Sequence, residues 1–284
     1  MSKRTLILGL IVALVLAFAA VACGGDDDEA ANGGETATEA ETTAPSFSTL
    51  EEGVLTVGSD IPFAPFEFRE GGQLTGFDVE LVEEIASRLN LTTDWKDTAF
   101  DTIFTQLAAG RYDVVASATT ITPEREEQVN FTDPYYRAQQ SLTVNTEQTP
   151  DIQSVDDLGE GHTVAVQTGT TGEQWARDNL APNGVEVRSF PEAPDTYTAL
   201  EGGNVTGVIF DEPASIEEAS KRPSLEVVEA IDTDEDYGFG VDPQNQELLD
   251  AINGVLQEMI DDGTYQQIYD KYFPDAPAGS VAES

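Results

Sequence analysis

Apolar and polar positions along this chain follow two alternating rhythms. Val54-Leu55-Thr56-Val57-Gly58 is a short, nearly continuous apolar run, as in a buried strand. Beyond it, Val79, Leu81, Val82, Ile85, Ala86 and Leu89 recur at helical spacing and predict a helix over 78–90, with Asp78 as its N-cap. A second helix is predicted over 100–109, stopped by Gly110, and a strand over 112–116. Further strands are predicted at 141–145, 163–167, 185–189, 205–210 and 225–229. Helices are predicted at 172–180, 195–201, 212–221, 246–262 and 263–272. Strands alternating with helices indicate the α/β class with parallel sheets.

Open sheets of this class bind ligands just beyond the carboxyl ends of their strands. Four loops occupy that place: Gly58 to Phe63, Ser117 to Thr120, Gln167 to Gly172, and Phe210 to Pro213. Each carries small residues, hydroxyls or a carboxylate and none continues the hydrophobic pattern. That pattern suits a site assembled from several strand ends.

Charge narrows the chemistry. The 284 residues hold 13 Lys and Arg against 54 Asp and Glu, a formal net charge of −41. Such a surface repels phosphate backbones and excludes ordinary nucleic-acid binding. One Cys and one His supply neither an intramolecular disulfide nor an ordinary zinc site, so no metal or cofactor is expected. His162 stands alone in a turn before a strand and reads as a surface residue.

The N-terminus reads as a targeting segment. Lys3 and Arg4 precede an uncharged apolar run from Leu6 to Ala22, and Cys23 follows directly. Ala20-Val21-Ala22-Cys23 resembles a bacterial lipobox, which implies a signal peptide over 1–22 and a lipid on Cys23. Residues 23–49 follow as an acidic, disordered tether, rich in Gly, Ala, Thr, Asp and Glu.

Several motifs then occur in order. Gly76-Phe77-Asp78-Val79-Glu80-Leu81 is followed by Ala118-Thr119-Thr120-Ile121-Thr122-Pro123-Glu124-Arg125 and Asn130-Phe131-Thr132. Gly169-Thr170-Thr171, Asp211-Glu212-Pro213, Gly263-Thr264-Tyr265 and Tyr272-Phe273 complete the series. From about Leu50 to Pro274 the chain resembles the periplasmic amino-acid-binding proteins of ABC importers, solute-binding family 3. The resemblance implies a two-lobed periplasmic-binding-protein fold of type II, hinged by two crossover strands. Lobe I would hold 50–135 and 238–274 and lobe II 140–232, with crossovers near 135–139 and 233–237 and a tail at 275–284.

The same resemblance assigns a ligand site and no catalytic residue. Arg125 matches the arginine that meets the ligand carboxylate, Thr120 its hydroxyl donor, and the Ala118 carbonyl an acceptor for the ammonium. Thr170 and Thr171 would present backbone N–H groups at a helix start. Asp211 matches the ammonium-binding aspartate, although it also suits the N-cap of a helix starting near Pro213. Phe63 and Phe100 match the aromatic pair around the ligand side chain, and Asp60 faces that side chain's far end, with Glu67 as a second acceptor. Gln167 stands where glutamine-binding relatives can carry Lys. Acidic Asp60 between aromatic faces favours a cationic side chain, arginine first. Glutamine or another neutral polar amino acid is the alternative, and a periplasmic dehydratase using Glu173 is a second. The expected partners are the free amino acid and a membrane permease with its ATPase. The chain is expected to act as a monomer, outside the cytoplasm and anchored through Cys23.

Overall fold

The computed structural model describes residues 47–274. The expected signal peptide, Cys23, most of the expected acidic tether and the expected tail at 275–284 lie outside the described residues. Among the described residues no helix is long and apolar enough to cross a membrane.

Chain order explains how the first lobe forms. β1 (Val54–Ser59) is buried from Leu55 onward. A hairpin of β2 (Phe68–Glu70) and β3 (Gln73–Thr75) leads into α1 (Phe77–Arg88). That helix buries Leu81, Val82, Ile85 and Ala86 in the core beside the sheet. Each of the first three side chains contributes about 1.5–3 kcal/mol on burial. β4 (Thr92–Asp97), a 3-10 turn at Phe100–Thr102 and α2 (Ile103–Ala108) follow. The lobe continues through β5 (Val114–Val115), α3 (Pro123–Glu126) and β6 (Asn130–Phe131).

The second lobe starts on β7 (Tyr136–Asn145) and runs through β8 (Thr163–Gln167), α4 (Thr171–Asn179) and β9 (Glu186–Phe190). It ends with α5 (Ala193–Glu201), β10 (Gly207–Asp211), α6 (Glu212–Lys221) and the long β11 (Leu225–Tyr237). The chain then returns to the first lobe as β12 (Gly240–Val241), α7 (Gln246–Asp262) and α8 (Thr264–Tyr272).

Two five-stranded sheets result, in the orders β4-β1-β5-β12-β6 and β11-β7-β10-β8-β9. The expected parallel sheets are in fact mixed. β4, β1 and β5 run parallel, as do β10, β8 and β9, but β12, β7 and β11 are antiparallel to their neighbours. The antiparallel pair β7 and β11 carries the chain between the lobes, with Tyr136 opposite Tyr237 and Ala138 opposite Glu235.

Several sequence expectations need correction. The helix predicted over 100–109 divides into the 3-10 turn and α2, and the strand over 112–116 shrinks to Val114–Val115. Asp78 is not a cap. Gly76 holds the N-cap position, and Asp78 is buried inside the first turn. Order also begins before residue 50: Phe47 packs on the first lobe's core, and the Ser48 carbonyl accepts from Asn245 Nδ2 at 2.9 Å.

Gly76 is required where it stands. Its φ of 139° suits glycine, and a Cβ there would run into the Phe66 carbonyl. The close approach lets Phe77 N donate to the Pro65 carbonyl at 2.9 Å and Asp78 N to Phe66 at 3.0 Å. The loop after β1 is thereby stapled to the start of α1, which fixes Phe63 in place.

Candidate functional site

The ends of these elements converge where the lobes meet. Asp60 follows β1, and Phe63 belongs to the stapled loop. Phe100 opens the 3-10 turn, Ala118 and Thr120 follow β5, and Arg125 lies in α3. From the other lobe come Thr170 and Thr171 at the start of α4 and Asp211 at the end of β10. All nine line one small cavity, together with Ser117 and Gln167. The lobes are closed on each other around it. Phe63 and Phe210 lie 5.5 Å apart between ring centroids, and Gln167 Nε2 donates to Asp60 Oδ2 at 2.6 Å.

Ala118 has a left-handed φ of 45°, which is costly for a residue carrying a Cβ. Asp78 holds it there. Its Oδ2 accepts the Ala118 N–H at 2.8 Å and the Tyr135 hydroxyl at 2.8 Å. The carboxylate that reads as a cap in sequence thus secures the backbone of the ligand loop. Glu67 is not a wall of the cavity either. It is fully buried and accepts the Ser117 hydroxyl at 2.8 Å, while Ser117 Oγ accepts the Asp60 N–H at 3.0 Å. Burial pushes the Glu67 carboxyl well up, and the Asp78 charge adds to the shift.

Arg125 is 8% exposed and makes no ion pair with Glu124, Glu126 or Glu127. Its N–H is capped by Thr122 Oγ1 at 3.3 Å. Nη1 donates to the Thr120 carbonyl at 2.7 Å and Nη2 across the cleft to Gly169 O at 3.3 Å. The guanidinium carbon lies 5.3 Å from the Phe100 ring and 5.1 Å from the Phe104 ring. Burial lowers its pKa, opposed by the charges of Glu235 and Asp211. Phe100 therefore stacks on Arg125 as well as facing the cavity.

The expected N-cap bond from Asp211 is absent: its Oδ1 instead accepts from Gln140 Nε2 at 2.8 Å, and α6 begins at Glu212. Thr170 is the cap in the same lobe, its Oγ1 accepting the Glu173 N–H at 3.1 Å, and α4 begins at Thr171. Thr120, expected as a donor to the ligand, directs its hydroxyl proton to Glu235 Oε2 at 2.7 Å. Toward the cavity this hydroxyl offers its lone pairs.

Two wall carboxylates stand in different charge neighbourhoods. Burial pushes Asp60 up to about 7, opposed by the Gln167 bond and reinforced by Glu192, Asp97 and Asp101. Burial also pushes Asp211 up to about 7, with Glu235 adding repulsion. Both start from 3.8, so between about pH 4 and 7 the folded chain holds protons that the unfolded chain releases. Bound protons in the native state mean that stability falls as pH rises through that window. Without ligand the protein is therefore expected to melt higher at pH 5 than at pH 8, and Asp60→Asn with Asp211→Asn should lessen the slope, the remainder resting on Glu67 and Asp78, which burial raises as well. An unchanged slope in the double variant, read by circular dichroism melts, would contradict this assignment.

Sequence reasoning missed Gln140 and Glu235, which stand behind the cavity on β7 and β11. Their only signal was a polar side chain within a crossover strand, hidden among the other polar residues there. Glu173, which the dehydratase alternative would use as an acid or base, has its oxygens engaged. Oε1 accepts from Ser189 Oγ and Arg177 Nη2, both at 2.6 Å, and Oε2 accepts the Gly169 N–H at 2.7 Å. Burial works against its ionisation, but these donors outweigh it and hold Glu173 below the usual range.

With this geometry in hand, known proteins supply a comparison. Residues 55–275 match the model of the bacterial extracellular solute-binding proteins, family 3. The L-cystine-binding protein TcyJ of Escherichia coli (strain K12) is 32% identical over 225 residues, covering 78% of this chain and 84% of that protein. The histidine-binding periplasmic protein of the same organism is 30% identical over 243 residues, covering 80% and 90%. Among solved structures, an ancestral arginine-binding protein bound to arginine superposes with a TM-score of 0.74 at 38% identity, covering 78% of this chain and 98% of that one. The site sits between two hinged α/β lobes, as in a type II periplasmic binding protein, and this chain belongs to the bacterial extracellular solute-binding proteins of family 3.

Proposed function

We propose that this chain captures a basic amino acid, arginine first, by closing its lobes on it and delivers it to an ABC permease. The observation that carries the reading is the pairing of one guanidinium, Arg125, with two separate buried carboxylates, Asp60 and Asp211, on the walls of one cavity. An amino acid brings one carboxylate, for Arg125, and one ammonium, for Asp211 and the Ala118 carbonyl. A second cation is needed to match Asp60, and a guanidinium at the end of a side chain supplies it. Phe63 lines the same cavity, and cations are attracted to aromatic faces. The arginine-bound relative supports this choice, and the cystine and histidine binders support amino-acid capture more broadly.

Binding without turnover fits Glu173. Its three donors favour the ionised form, which disfavours acid catalysis, and they engage both oxygens, which leaves no free carboxylate oxygen for a base. The reading also places the protein outside the membrane as a monomer, held by a lipid on Cys23.

A thermal-shift panel of the common amino acids tests the proposal. A ligand at 100 times its Kd adds ~2.7 kcal/mol to stability. At about 2–4 °C per kcal/mol that is a shift of roughly 5–10 °C. Shifts from arginine and other cationic amino acids are expected. A shift from glutamine alone would move the assignment to neutral ligands, and none with any amino acid would reject amino-acid capture.

A further inference from the structure

The geometry points to Glu235 as a positioning residue that latches the lobes in their closed arrangement, a role that rests on the amino-acid-capture reading. Glu235 lies on β11, where β11 crosses between the lobes, and is 6% exposed. The register of β11 against β7 breaks between Ile231 and Glu235, and Asp234 within the break has a left-handed φ of 52°. Irregularities of this kind re-aim the side chains beside them.

Four donors converge on the carboxylate. Oε1 accepts from Thr233 Oγ1 at 2.7 Å and from Gln140 Nε2 at 3.1 Å, both on the crossover strands themselves. Oε2 accepts from Thr120 Oγ1 at 2.7 Å and Thr171 Oγ1 at 2.7 Å. Those two hydroxyls come from opposite lobes and stand 3.5 Å apart.

The division of labour between the oxygens carries the inference. A rotation of the lobes about β7 and β11 leaves the Oε1 bonds with the hinge. The same rotation separates Thr120 from Thr171 and breaks at least one Oε2 bond. Only the closed form satisfies the whole set, and both hydroxyls line the ligand cavity. Glu235 therefore biases closure through contacts that do not require it to touch the ligand. Gln140 Nε2 also reaches Asp211 Oδ1 at 2.8 Å, linking the latch to the wall carboxylate. A carboxamide weakens this arrangement: it carries no charge, its NH2 on the Oε1 side would face the Gln140 donor, and on the Oε2 side it would make both threonine hydroxyls turn their protons away.

The test compares the full chain with its Glu235→Gln variant, and with Thr171→Val as a second way of breaking the latch. Small-angle X-ray scattering without ligand reads lobe opening, stopped-flow reads arginine dissociation, and circular dichroism melts read the fold. The latch predicts that both variants keep the fold but scatter as a more open molecule. Dissociation should accelerate about tenfold while association changes less than about threefold, since changes within one site act mainly on dissociation. Thr233→Val, which removes two bonds internal to the hinge, to Glu235 Oε1 and from the Gln140 N–H, should leave dissociation within about twofold. A Glu235→Gln or Thr171→Val protein that scatters and releases arginine like the parent would overturn the proposal. Scattering of the ligand-free chains decides this even if the parent binds none of the amino acids, a result that would count against the capture reading instead.

Discussion

Arg125→Ala is expected to remove amino-acid binding, with affinity for arginine falling several hundredfold or more while the fold persists. The guanidinium has no carboxylate partner among the described ion pairs and is fixed by two carbonyls and two aromatic rings. It is thereby held ready for a carboxylate from the ligand. A planar fork meets a carboxylate with two charge-assisted hydrogen bonds, each contributing about 1.5–3 kcal/mol. Losing both costs about 3–6 kcal/mol, or roughly 10²–10⁴ in Kd. The α-carboxylate is common to all amino acids, so the loss should be as large for every ligand that binds the parent. Arg125→Lys restores the charge but not the fork, and should recover only part of the affinity. Calorimetric titration and thermal melts check both halves. Retained affinity would place the ligand carboxylate elsewhere.

The second large effect is selective. Asp60→Asn should weaken arginine roughly 30–200-fold, about 2–3 kcal/mol for a lost charge-assisted contact, and change a neutral ligand such as glutamine by less than about threefold. Asp60 is buried, and the cost of burying its charge is what pushes it up to about 7. A guanidinium binds the ionised form, so protons compete with arginine. Affinity for arginine should fall as pH drops below about 7, by at most tenfold per pH unit for this group. Asp211, raised for similar reasons, adds its own decline for any amino acid through the ammonium. The difference between arginine and glutamine across pH 5 to 8 therefore isolates Asp60, and Asp60→Asn should abolish that difference. Equal weakening of both ligands in the variant would remove the case for a cationic side chain.

Sequence periodicity made the cores legible because buried elements carry the strongest patterns. β8 appears at its predicted residues, and the apolar stripes of α1 and α7 face the core. β4 reads Thr-Thr-Asp-Trp-Lys-Asp and lies at a sheet edge, where one side of the strand needs no apolar partner. β6 and β12 are two residues long and too short for any period. β7 and β11 read as strands only in their lobe II halves, because their crossover halves, Arg-Ala-Gln-Gln and Asp-Thr-Asp-Glu-Asp, are largely polar.

The same logic separates what was visible at the site from what was not. Asp60, Thr120, Thr170 and Asp211 lie at or just beyond strand ends, where a polar residue stands out against the pattern, whereas the roles of Phe63 and Arg125 were legible only through the family resemblance. Glu235 and Gln140 are polar among polar neighbours, and only the packing of two lobes distinguishes them. Asp78 misled because an acidic residue before a helical stripe has the signature of a cap. Its carboxylate instead spans to Ala118 and Tyr135, 40 and 57 residues away.

The most direct measurement is a calorimetric titration of arginine against citrulline at pH 8. Citrulline keeps the length, shape and α-carbon groups of arginine and replaces the guanidinium by a neutral urea. If Asp60 receives a cation, arginine should bind at least about 30-fold more tightly, a difference near 2 kcal/mol. Citrulline binding as tightly as arginine would contradict it.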